Sequence, residues 1–164
     1  MVRFKNRWLL VEFIHVPEQP KPNTAPAQPP ALDSKKIWAA LKQSILKHFG
    51  EIGWGAVSTS LTVKYYSPTT RVCIIRVARD HHQIAWAGAT LLSQIDGAKF
   101  IPHVVHLSGT IKHTQLAAIK HDKIVIARLR AKAAQATKNG IAPPDTHDAY
   151  LERSAAEINA LQDQ

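Results

Sequence analysis

A chain of 164 residues, 45% of them hydrophobic, is long enough for one domain with a real core and short for two, and disorder is not its general state. Its formal charge of +9 points toward a polyanionic partner. Its single cysteine, Cys73, excludes an intrachain disulfide and a cysteine-built zinc site, and fits a reducing compartment, cytosol or nucleus.

The charge is uneven. Residues 1–140 carry twenty Lys and Arg against seven Asp and Glu, a net +13, whereas residues 141–164 carry one cation against five acids, a net −4. A basic body with an acidic tail describes the chain better than an evenly basic protein. No apolar run approaches the length that spans a bilayer.

The opening VRFKNRWLLVEFIHV is rich in β-branched and aromatic residues and reads as a strand. Its apolar block is stopped by Glu12 and lacks a small-residue cleavage site, so it reads as structural and not as a secretory leader. Period two puts Arg3, Lys5, Arg7, Leu9, Val11 and Phe13 on one face and Phe4, Asn6, Trp8, Leu10, Glu12 and Ile14 on the other. Both faces are apolar in the second half, as in a central strand covered on both sides. The cationic start should project beyond the sheet.

PEQPKPNTAPAQPPAL, residues 17–32, holds six prolines and almost no large apolar side chain, and reads as an extended, solvated insertion. A helix follows, capped by Asp33 or Ser34, with Ile37, Leu41, Ile45 and Phe49 as its stripe, and is expected to end at Gly50. Gly53 and Gly55 then suggest a turn before a second strand, AVSTSLTVKYY, and SPTT turns the chain into a third, TRVCIIRVAR. Asp80 opens another helix with Ile84, Ala87, Leu91 and Ile95 on one stripe, expected to stop at Asp96-Gly97. AKFIPHVVHL is the fourth strand. Residues 111–137 read as helix with a break near His121-Asp122, and DAYLERSAAEINALQ as a peripheral helix or a loose tail.

The order β-α-β-β-α-β with an extra C-terminal helical segment is that of an α+β, ferredoxin-like (RRM-like) antiparallel sheet with two helices on one face. The domain is expected over residues 1–138, with the proline-rich insertion inside it and residues 139–164 as an acidic tail. The extra helix, RNA or a protein partner must cover the second face.

The third strand carries no aromatic ring, so base stacking on the sheet is not expected. His103 and His106 lie three apart on a strand, which predicts opposite faces, and no acid accompanies the histidines at ligand spacing. No nucleophile motif, phosphate loop or paired carboxylates appear. What remains is basic. Ser108-Gly109-Thr110 leads into a helix N-terminus whose free N–H groups suit a phosphate, with Lys112 and His113 beside it, or is simply closed by Thr110 as N-cap.

RFKNRWLLVE, GWGAVSTSLTVKYYSPTTRVCIIRVARD and HLSGTIKH, in that order and over most of residues 1–130, resemble the Pop-five protein subunits of ribonuclease P and its relative RNase MRP. The proline-rich insertion and the acidic tail are long for that family, and Trp8 stands where it often has tyrosine. The resemblance implies a ferredoxin-like fold and a nuclear, nucleolar ribonucleoprotein that removes the 5′ leader of precursor tRNA or cleaves precursor rRNA. It implies that the RNA is the catalyst, with Mg2+ in the RNA active site and no cofactor bound by this chain. It also implies a TIM-barrel-like subunit and a related small α/β subunit as partners, with precursor tRNA nearby. The expected role is a non-catalytic RNA-binding subunit, with a purely protein-binding adaptor as the alternative. The expected RNA contacts are Arg3, Lys5, Arg7, Arg71, Lys112, His113, Lys120 and Lys123.

Overall fold

The computed structural model describes residues 5–16, 32–136 and 147–161. The proline-rich insertion, apart from Leu32, lies outside the described residues, as do Arg3 and residues 137–146 and 162–164.

The elements are β1 (Asn6–His15), α1 (Ser34–Ser58), β2 (Thr62–Tyr66), β3 (Val72–Ala78), a 3-10 turn (Arg79–His81), α2 (His82–Thr90), β4 (Gln94–Ile95), β5 (Ala98–Ser108), α3 (Ile111–Ala136) and α4 (His147–Asn159). The strands lie in the order β2-β3-β1-β5-β4, with every pairing antiparallel. Leaving aside the short β4, this is the expected ferredoxin-like sheet with β1 at its centre.

The doubly apolar half of β1 explains the layering. Trp8, Leu9, Leu10, Val11 and Phe13 are all fully buried, but against different partners. Leu9, Val11 and Phe13 join Ile37, Leu41 and Ile45 of α1 and Ala85 and Ala89 of α2 in one core. Trp8 and Leu10 join Val72 and Ile74 of β3, Ile111 and Ala118 of α3, and Ile158 of α4 in a second. The second sheet face is thus covered by the chain's own C-terminal helices.

Three boundaries differ from the sequence reading. The helix expected to end at Gly50 only kinks there: Gly50 adopts φ 65° and ψ −168°, a conformation open to glycine, and helix resumes to Ser58. The kink folds the chain back on itself. Trp38 and Trp54 would stand about 24 Å apart along a straight helix at 1.5 Å per residue. Their ring centroids are 5.6 Å apart, edge to face, with the Lys42 ammonium over both rings. Gly53 and Gly55 are therefore helical, and the second strand begins at Thr62 and not at Ala56.

Asp96-Gly97 does not stop a helix, since α2 has already ended at Thr90. Both residues have positive φ, 52° and 80°, as in a two-residue type I′ hairpin, and they join β4 to β5. The sheet gains a fifth strand from this. The third difference is at His121-Asp122, where α3 runs through unbroken. Both side chains are buried and bonded to neighbours, so neither competes for the helix backbone.

Candidate nucleic-acid interface

Antiparallel pairing sets which cations meet. Asn6 pairs with Ala78 and Trp8 with Ser108, so the start of β1 lies beside the ends of β3 and β5. Lys5 is exposed at this end, its carbonyl accepting from the Arg79 N–H at 2.8 Å. Arg7 is half-buried, and its Nη1 donates to the Asn6 carbonyl at 3.1 Å. A methyl placed on Gly109 would come within 3.2 Å of that same nitrogen, so the guanidinium lies against the turn that opens α3.

That turn is tightly made. Ser108 Oγ accepts from the Thr110 N–H at 3.1 Å, and Thr110 Oγ1 accepts from the His113 N–H at 3.5 Å, an N-cap arrangement. Lys112 and His113 are exposed on the first turn of α3. The structure therefore brings Lys5, Arg7, Lys112 and His113 to one end of the sheet. A helix N-terminus flanked by cations is electrostatically suited to phosphate.

The other expected contacts lie elsewhere. Arg71 sits in the β2–β3 turn with φ 56°, its carbonyl accepting from Phe13 N–H at 2.9 Å. Phe13 is six residues along β1 from Arg7, or about 20 Å of strand. Lys120 is exposed two turns beyond Lys112, about 12 Å along α3. Lys123 lines a groove between α3 and α4 together with Ile119, Asp122, Leu151, Glu152 and Ala155. Sequence reasoning passed over Arg76 and Arg79, which the pairing of β3 with β1 carries to the Lys5 end. Arg79 forms an ion pair with Asp80 at 3.0 Å. Arg76 pairs with Trp8 across the strands, and its Nε is buried without a hydrogen-bond partner. Antiparallel pairing of the first and third strands, implicit in the expected fold, was the available signal.

The histidines differ from expectation. A bulge in the β1–β5 register sets His106 opposite Leu10 and His103 opposite Glu12, so the two histidines share a face. Glu12 Oε2 accepts from His121 Nε2 at 2.9 Å and lies 3.9 Å from His103 Nδ1. Among the described residues no three His, Cys, Asp or Glu side chains gather as a metal site. Burial pushes the Cys73 thiol up, as suits a packed, inert side chain.

Beside this cluster, α3 and α4 are tied to the sheet. Ser154 Oγ donates to Asp122 Oδ2 at 2.7 Å and meets the Tyr65 hydroxyl at 3.1 Å. Burial raises the Asp122 carboxyl above its usual range, partly offset by hydrogen bonding to Ser154 and Thr70 and by His121. Burial likewise pushes the Tyr65 phenol up to about 12.

Comparison with known proteins places this fold. The Rpp14/Pop5 family matches residues 7–119. The chain is 40% identical over 125 residues to the ribonuclease P/MRP protein subunit POP5 of Schizosaccharomyces pombe, covering 75% of this chain and 89% of that one. It is 37% identical over 123 residues to the probable ribonuclease P/MRP protein subunit POP5 of Arabidopsis thaliana, covering 75% and 80%. A chain in the cryo-EM structure of yeast ribonuclease MRP aligns over 97% of this chain and 95% of its own, with a TM-score of 0.49 at 10% identity, a likeness too slight to carry an argument. From the family match and the two curated relatives, the chain belongs to the Rpp14/Pop5 family.

Proposed function

We propose that the chain is a non-catalytic, RNA-binding protein subunit of a ribonuclease P or RNase MRP particle. In it the RNA, with Mg2+, cleaves the 5′ leader of precursor tRNA or cuts precursor rRNA. Family membership and the named role of its relatives support the particle. The observation that supports RNA contact is the gathering of Lys5, Arg7, Lys112 and His113 around the start of α3. Phosphate contacts from such a cluster position an RNA without reading its bases. Arg71 and Lys120 would touch RNA only through a ligand long enough to span the sheet or follow α3. Work in the nucleus and nucleolus, beside a TIM-barrel-like subunit and a related small α/β subunit, belongs to the same reading.

A second reading, a protein-interaction adaptor without direct RNA contact, is favoured by Ile14 and Ile101. They are cross-strand neighbours on β1 and β5 and are 44% and 56% exposed. Nuclease treatment of the native complex separates the two. Loss of other subunits from the tagged chain supports the RNA-organised particle; a complex of unchanged size and composition supports the adaptor and refutes direct RNA organisation.

A further inference from the structure

The helix α4 is held differently from the rest of the fold. Strand β1 buries five large side chains completely, whereas the described part of α4 so buries one, Ile158, beside the small Ser154. Leu161 packs on the same cluster as Ile158, and Leu151 and Ala155 are half-buried beside Ile119 of α3, and several polar contacts add to this grip. Ser154 links Asp122 of α3 to Tyr65 of β2. The Tyr150 hydroxyl bonds to Ser67 and, at 3.3 Å, to Thr70. Gln115 Nε2 donates to the carbonyls of Ile158 and Leu161 at 2.7 and 3.0 Å. Arg130 and Asp148 form an exposed ion pair, a kind of contact that holds little.

Hydrogen bonds of this sort are exchanged for bonds to water when a helix lifts away, so each one resists opening only weakly. The family match covers residues 7–119 and does not reach α4.

We infer that α4 is a clasp that lifts from the second sheet face as a unit while the sheet stays folded, with the Asp122–Ser154–Tyr65 chain as its latch. Opening uncovers the part of the Trp8, Val72 and Ile74 cluster that Ile158 covers. The core between the sheet and α1 and α2 has no α4 residue in it and is left intact.

Hydrogen exchange of the full chain, read by mass spectrometry, tests this directly. Relative to intrinsic rates, amides of α4 should exchange on the order of 100-fold faster than those of Leu9–Phe13. Ser154→Ala should speed exchange in α4 roughly tenfold and leave β1 unchanged. Tyr65→Phe, which keeps the ring and removes only the hydroxyl, should act in the same direction. Equal protection of α4 and β1, or variants that speed both segments alike, would overturn the clasp.

Discussion

Replacing Lys5, Arg7 and Lys112 together with alanine tests the cationic end of the sheet. Lys5 and Lys112 are exposed, and Arg7 reaches the turn before α3, so three phosphate contacts would be removed. Each neutralised phosphate contributes about 0.7 to 0.9 to the slope of log K against log salt, so the slope should flatten by about 2 to 3. Between 50 and 200 mM salt, a fourfold change, the affinity gap between parent and variant should then close by roughly 30-fold. Fluorescence anisotropy with ribonuclease P RNA over that salt range reads both quantities. The matched control is Lys35→Ala with Lys47→Ala, two exposed cations on α1, whose slope should match the parent's. A triple variant that folds and binds with the parent's slope would refute the assignment of this end to phosphate.

Two helical glycines make an internal comparison. A methyl at Gly88 would lie 2.5 Å from Ile45 Cγ1, whereas one at Gly55 meets nothing within 4 Å. Both alanines gain about 1 kcal/mol of helix propensity, but overpacking at Gly88 costs about 1–3 kcal/mol, so G88A should unfold in urea that much more easily than G55A. Equal stabilities would contradict the packing of α1 on α2. Glu12→Ala leaves the buried His121 without its acceptor and should destabilise by about 1–3 kcal/mol in the same assay. Because the Asp122 carboxyl is raised in the fold, the native state holds its proton at pH values where the unfolded chain has lost it. Its contribution is therefore complete below the ordinary aspartate range, near pH 4, and is lost as pH rises through the raised native value. Asp122→Asn should remove that decline, and a stability difference between parent and variant that stays constant with pH would contradict it.

The sheet was legible in the sequence because its signals are local. The doubly apolar LLVEF of β1, the SPTT turn and the aliphatic third strand each carry their own periodicity, and their order limits the topology. The failures lie where one residue type has two roles. Glycine ends helices, but Gly50 kinks one, because the returning segment regains burial through Trp54 and Val57. Asp-Gly marks both helix ends and type I′ hairpins, and only the partner strand decides between them. The cover of the second face was left open among three candidates, since the amphipathic pattern of α3 does not say which surface its buried side meets. Of the site, Lys5 and Arg7 were found by charge alternation and Lys112 and His113 by the turn before them. That the two groups adjoin is a product of register, and Glu12 meets His121, 109 residues away, only because α3 packs on the sheet.

The most direct measurement of the proposed role is to tag the chain in its native cells, purify its complex and sequence the RNA that comes with it. Ribonuclease P or RNase MRP RNA as the dominant species, lost when Lys5, Arg7 and Lys112 are replaced in a chain that still folds, is the expected result. A complex with no RNA above a mock purification, or with only bulk ribosomal and transfer RNA, would contradict it.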